Sequence, residues 1–465
     1  MYAGKWLICA VIIMIIAQSG CSDDGTGPLV NDDPVCGLST TLLEFGSVIF
    51  GGTSDQTFII TNTGVGTLTG TISESSDEYE IIGDASYSLD AGVSDTFTVR
   101  FTPTSLGIRM CELGTGSDFC DVVQCTGIGG AHYYADASSG LDTNPGTSEE
   151  PFKTITHAVS IAGTDNIIGV LPGTYDAALG ETFPIRPKQG QSLIGDIPNK
   201  GLGAVTTTIY GSGDASPIDS YLSAIVGADQ AMVAGFDIGA PYTIRTFGIY
   251  LADVVMTIKD NSFTSTTTNL YGGIRARGTG ATMITRNDFL TSAYGVYSNS
   301  CTGGMIIEAN DFLTMSIPVD VVGDPNNTII RGNTFVGTGQ IGVQVQHGVP
   351  LIEDNVFNNP GGYSNYGAVR CQGATANPTI RSNTFICARG IRIDNALSPD
   401  MGTAGDPGEN DFSGVTVESI YHMGTAFLNA IGNTWPHASP ICGTDIVLTS
   451  SGTITWGTGL GEECP

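Results

Sequence analysis

The chain is short of positive charge. Only 17 of its 465 residues are Lys or Arg, against 46 Asp or Glu, and the formal net charge is −29. A nucleic-acid partner needs a basic footprint to displace phosphate counterions, so none is expected. Anionic membrane surfaces are a poor partner for the same reason. Histidine is scarce as well, with five residues scattered at 132, 157, 347, 422 and 437. The 11 cysteines include no CxxC or Cys/His cluster of zinc spacing, and no metal site is expected. There is no G-x-S-x-G. GTGQIG at 337–342 matches a dinucleotide fingerprint, but the alternating VQVQ follows it instead of a helix, which makes it a corner. Beyond the N-terminal segment no apolar run is long enough to span a bilayer. What the chain does have is 64 glycines and many Thr, Asn and Asp, the composition of an exported β protein full of turns.

Residues 1–20 read as a signal peptide: one Lys, then WLICAVIIMIIA, then small residues ending at Cys21. QSGC resembles the lipobox of bacterial lipoproteins, with Gln18 where that family usually has Leu. The resemblance implies lipidation of Cys21 and contact with a membrane through the N-terminal lipid only. Ser22 after the Cys implies the outer membrane or cell surface, with secretion as the alternative. Residues 21–35 form an acidic tether. Nine cysteines remain, and an oxidising compartment favours disulfides. Cys111 and Cys120 flank the hairpin-like ELGTGSDF and form the first candidate pair; Cys36 with Cys125 and Cys442 with Cys464 are further candidates.

Residues 36–130 carry short alternating strands, among them TFIITNTG and TFTVRFTP, which predict a β-sandwich. TNTGVGTLTG, VRFTPTSLG and CTGIG resemble the immunoglobulin-like modules of the ASH and choice-of-anchor D type, which implies a spacer without chemistry. From residue 131 a new unit begins. YYADASSGLDTNPGTSEEPFKTITHAVSIAG, NIIGVLPGTY and GETFPI resemble the bacterial domain of unknown function fifteen sixty-five (DUF1565). That family is read as a right-handed parallel β-helix of pectate-lyase-like architecture, here spanning 131–465. Phe152, Ile155, Ala158, Val159 and Ala162 recur at helical spacing behind Pro151, and predict an amphipathic helix that caps the open end of the stack.

Asn-x-Phe or Asn-x-Trp then recurs at Asn261, Asn287, Asn310, Asn333, Asn355, Asn383, Asn410 and Asn433, at gaps of 22 to 28 residues. Once per coil, such a pair predicts an Asn ladder beside an aromatic ladder, both scaffold. Some 12 to 14 residues ahead of most of these Asn lies another strand, as in GIYLA, GIRAR, GVYSN, PVDVV, GVQVQ, AVRCQ and GIRID. Alternation sends Ile249, Leu251, Ile274, Val296, Val319, Val343, Val369, Ile391 and their like inward. Tyr250, Arg275, Arg277, Tyr297, Asn299, Asp320, Gln344, Gln346, Arg370, Gln372, Arg392 and Asp394 are then expected to face solvent. This stripe holds four of the chain's twelve arginines.

Tyr rings can stack on sugars, amides supply paired donors and acceptors, and Arg clamps uronate or sulfate, so the stripe is a candidate glycan groove. Catalysis finds less support. Asp320 and Asp394 are three coils apart, about 14 Å, too far to share one ion. The loop Asp394 to Phe412 lacks EF-hand spacing and reads as a solvated excursion. No catalytic residue is assigned and no cofactor expected, calcium being the single ion left open. The leading expectation is a surface protein that binds polysaccharide or adheres. A polysaccharide lyase or glycoside hydrolase for acidic polysaccharide comes second, and a structural stalk third.

Overall fold

The computed structural model describes residues 33–465 except 216–219, 242–244, 265–270, 279, 291–292, 302, 324–327, 338, 361, 364, 395–397 and 458–461. The signal, Cys21 and most of the tether lie outside the described residues. The first unit is a β-sandwich. One sheet orders Cys36–Leu38, Ser54–Asn62, Ser94–Phe101 and Tyr79–Ile82; the other orders Leu42–Ile49, Val123–Gly130, Gly107–Gly114 and Ser73–Glu74. Alternation works as read: Phe58, Ile60, Phe97, Val99 and Phe101 are all buried. Tyr79 stacks on Phe101 at 4.8 Å. The apolar cluster of this unit is separate from that of the unit that follows.

The disulfides need correction. Cys36 bonds Cys120, and Cys442 bonds Cys464 as the sequence suggested. Neither Cys111–Cys120 nor Cys36–Cys125 forms. Cys111 and Cys125 sit opposite each other on neighbouring antiparallel strands, and both point into the sandwich core as free thiols. Cys120, in the turn between those strands, faces the edge strand that carries Cys36. Strand parity, which loop length does not reveal, decides the pairing.

The second unit is a solenoid of three long sheets. Sheet I runs through ten strands from Tyr133–Ala135 to Thr379–Arg381, sheet II through nine from Gly173–Asp176 to Thr384–Cys387, and sheet III through eleven from Gly213–Asp214 to Ile446–Leu448. All neighbours pair in parallel except the first two strands of sheet III. A short helix, Ile155–Ile161, covers the first coil with Ile155, Ala158 and Val159 buried. It starts later than expected. Thr154 is its N-cap, accepting from the His157 N–H, so Pro151 precedes the helix and Phe152 pairs instead with Ala135 as an isolated bridge. The Glu181 carboxylate accepts the N–H groups of Ile155 and Thr156, satisfying the first helical turn from outside.

The two ladders form as read. Rings stack from Phe263 through Phe289, Phe312, Phe335, Phe357, Phe385 and Phe412 to Trp435, with centroids 4.7–5.3 Å apart. Each Asn links its neighbours. Asn333 Oδ1 accepts from the backbone N–H and Nδ2 of Asn310 at 3.0 Å each. Its own Nδ2 donates to the carbonyls of Ile307 and Arg331 and to Asn355 Oδ1. The corner that aims the Asn inward is left-handed: Asp260, Arg286, Ala309, Asp354, Ser382 and Glu409, each just ahead of a ladder Asn, have φ of 53–55°, and Gly332 has 60°.

Candidate functional site

Sheet III carries the candidate site, and its register is set by the aromatic ladder. A Cβ built on Gly273 would lie 2.6 Å from the Phe289 ring, and one on Gly295 2.5 Å from Phe312. Glycine at the head of five of these strands, Gly248, Gly273, Gly295, Gly342 and Gly390, therefore lets the backbone pass the stacked rings. The following residues alternate. Ile249, Ile274, Val296, Val319, Val343, Val369, Ile391 and Ile420 stack inward in one column. Between the inward columns the outer row reads Tyr250, Arg275, Tyr297, Asp320, Gln344, Arg370, Arg392 and Tyr421, one residue per coil. A shorter outer column pairs Arg277 with Asn299.

The row is in place, but much of it is not open to solvent. Tyr250, Arg275, Asp320, Gln344 and Asp394 are buried; Arg277, Tyr297, Asn299, Gln346, Arg370 and Arg392 are half-buried, and Gln372 is exposed. The cover comes from side chains that alternation does not count. Tyr221, Phe247, Tyr271 and Tyr294 stand at the strand entrances and make a continuous wall, with ring centroids 5.4–5.7 Å apart, that ends on Tyr297. The Arg275 guanidinium is clamped between Tyr221, at 4.1 Å from the ring centroid, and Tyr297, at 4.9 Å. Arg275 is only 4% exposed, so these rings shield its charge from solvent.

Four coils on, a second cluster repeats the theme. Arg370 lies 4.6 Å over Tyr366, and Arg392 lies 5.2 Å from Tyr421. Here one carboxylate serves two cations, which leaves the trio one net positive charge. Asp394 binds Arg370 and Arg392 at 2.6 Å each, one oxygen apiece. This carboxylate braces the two arginines against each other. The acidic loop beyond it is likewise pinned, since Asp400 and Asp406 both pair with Arg381. His422 pairs in register with the inward Ile393 and is fully buried, which lowers its pKa.

Asp320 lies between the two clusters and differs from both. It is 2% exposed, and the donors to its carboxylate are amides: Gln344 at 3.2 Å, and Gln346 at 3.0 and 3.2 Å. Burial pushes it up to about 6, against the pull of those two bonds. Burial, then the Asp320 charge, raises the Tyr297 phenol in turn. Among the described residues there is no cluster of three His, Cys, Asp or Glu side chains that could hold a metal ion.

The sequence pointed to the row itself through period-two alternation. It missed Tyr221, Tyr271, Tyr294, Tyr366 and Tyr421. Tyr294 sits directly before a strand-leading glycine and Tyr421 follows the GIRI pattern one coil later, and those were the available signals.

Comparison with known proteins bears on the fold. Residues 138–311 match the family described as protein of unknown function (DUF1565), and residues 242–399 match the right handed beta helix region. No curated protein matches the chain. Among solved structures, the GH136 lacto-N-biosidase from Eubacterium ramulus is 11% identical over 70% of this chain and 68% of its own, with a TM-score of 0.31. A rhamnogalacturonan lyase is 13% identical over 65% of this chain and 74% of its own, with a TM-score of 0.28. The ASH / PapD-like domain of human CEP192 is 13% identical over 24% of this chain and 96% of its own, with a TM-score of 0.19. These likenesses are too slight to carry any activity to this chain. Sheet topology and the family matches make the solenoid a right-handed parallel β-helix, similar over residues 138–311 to DUF1565.

Proposed function

We propose that the protein is a surface module whose sheet III face binds polysaccharide without cleaving it. The observation that carries the reading is the clamp of Arg275 between Tyr221 and Tyr297, set in a row that offers a tyrosine, arginine or amide on every coil but that of Asp320. Rings and guanidinium groups prearranged at the coil spacing of about 4.8 Å offer successive sugars of one chain a repeated contact. Cleavage of a glycosidic bond by paired carboxylates needs the two groups within roughly 10 Å. On this face Asp394 is three coils, about 14 Å, from Asp320 and is held by two arginines. Attachment is proposed through a lipid on Cys21, with the tether and sandwich as spacer. Metabolic labelling with a tagged fatty acid, lost in Cys21→Ser, tests that part.

The binding test uses the full chain passed over immobilised neutral and acidic polysaccharides, with ligand length followed in parallel. Retention that falls at least about tenfold in Tyr297→Ala, with its circular dichroism unchanged, supports the groove, since one aromatic stacking contact is worth on the order of 1 kcal/mol or more. Equal retention of wild type and variant overturns it. Shortened chains would move the protein among the lyases or hydrolases, and absence of retention across the panel would leave a stalk.

A further inference from the structure

The basic groups of this face are unusual in a chain of net charge −29, and their order along the row is specific. Two steps of the register separate Arg275 from Asp320, through Tyr297, and two more separate Asp320 from Arg370, through Gln344. A single carboxylate thus stands roughly 10 Å from a cation on either side along the solenoid axis. We propose, resting on the glycan-binding reading, that the face takes an anionic polysaccharide laid along the solenoid axis across Arg275 and Arg370, and that protonation of Asp320 between them strengthens this capture in mildly acidic solution.

The geometry gives both parts. The chain as a whole is strongly acidic, whereas this face gathers Arg275, Arg277, Arg370 and Arg392 against two carboxylates, Asp320 and the Asp394 shared by Arg370 and Arg392. The groups facing Asp320 are Tyr294 and Tyr297 from the preceding coil and Gln344 and Gln346 from the following one. Beyond Gln346, the ring of His347 bonds Thr375 on the exposed side. None of the four neighbours is a cation that would hold Asp320 ionised, and burial favours its neutral form. Ionised, Asp320 repels an anionic group crossing the row; neutral, it does not, and it adds a donor. Binding of a polyanion therefore favours the protonated carboxyl, and by linkage low pH favours the polyanion.

The test compares dextran sulfate with unsubstituted dextran, which differ in charge and share a backbone; sulfate half-esters stay ionised throughout the range. Dissociation constants of the full chain are measured at pH 8 and pH 5 at one ionic strength. The expected result is that dextran sulfate binds, plain dextran does not, and binding tightens about five- to tenfold at pH 5, the effect of removing one partly screened charge. Asp320→Asn should bind at pH 8 as the wild type does at pH 5, and Arg277→Gln should weaken binding at both. His347→Gln should keep the wild-type pH response. A pH response retained in Asp320→Asn, or lost in His347→Gln, overturns the gating role of Asp320. Retention of dextran and dextran sulfate alike overturns the anionic selectivity while leaving glycan binding intact. Failure of dextran sulfate to bind at either pH overturns the inference; glycan binding itself then falls only if the wider panel is also ignored.

Discussion

At the scale of single residues, the ladder asparagines do more than fill a corner. Each serves two coils at once, so a substitution is felt by its predecessor. Asn333→Ala would leave the buried Asn310 N–H without its acceptor and the Ile307 and Arg331 carbonyls without their donor. The expected loss is about 3–5 kcal/mol in chemical denaturation, large for one side chain because several buried groups lose partners together. Asn333→Asp separates geometry from donation. Its carboxylate can still accept, but it faces two carbonyl oxygens at 2.8–3.0 Å and must be protonated to bond them. Its pKa in the fold is then raised, and the lost stability should return in part as pH falls from 7 to 4, a recovery that Asn333→Ala lacks. Asp320 follows the same sign in the native protein. Its folded pKa of about 6 lies above its ordinary value, so its favourable contribution is complete below about pH 4 and is lost as pH rises through 6. Asp320→Asn should therefore gain about 2–3 kcal/mol over wild type at pH 8 and nothing at pH 4. Matched melts at the two pH values check it.

At the scale of the element, the coil is legible in sequence where one rule acts alone. Asn-x-Phe repeats and the inward Ile and Val columns follow from period and alternation, and the structure places both as read. The burial of Arg275 and Asp320 was not legible, because it depends on rings contributed from other coils, by Tyr221 two coils away and Tyr294 one coil away, and coil-to-coil offsets vary from 22 to 28 residues. The pairing of Cys36 with Cys120 escaped for a similar reason: Cys111 has the core parity and Cys120 lies past the strand end. The left-handed corner was hidden too, since its residues are chemically unalike: Asp, Arg, Ala, Gly, Ser and Glu all occupy it. That diversity carries a cost. A left-handed residue with a Cβ is disfavoured by about 1–2 kcal/mol, of which glycine's extra chain entropy returns roughly half. Ala309, at φ 54°, has no polar side chain to compensate. Ala309→Gly should accordingly stabilise the solenoid by about 0.5–1 kcal/mol, whereas the same change at Leu313, inside a strand, should destabilise it.

At the scale of the whole molecule, the sandwich and the solenoid have separate apolar cores and separate covalent staples. Cys36–Cys120 ties the sandwich across a sequence separation of 84, and Cys442–Cys464 ties the far end of the solenoid across 22. Units with independent cores unfold as distinct transitions, and a cross-link acts on the unit whose unfolded chain it restricts. Closing a loop of 84 residues is worth about 4.5 kcal/mol in the chain-entropy account. Calorimetry of the full chain should show two transitions. Replacing Cys36 and Cys120 by Ser should lower one of them by that amount and leave the other where it was. The solenoid transition should respond instead to Phe335→Ala, at about 3–5 kcal/mol for a ring stacked on both sides at 4.7–5.0 Å. In a stack where each coil touches only its neighbours, that lesson is local, and the lesion should also broaden the transition by uncoupling the coils on either side of it. If both variants shift both transitions together, the sandwich is an integral cap of the rod, and removing it would disturb the sheet III face; if they act separately, the rod can be carried by the spacer without depending on it.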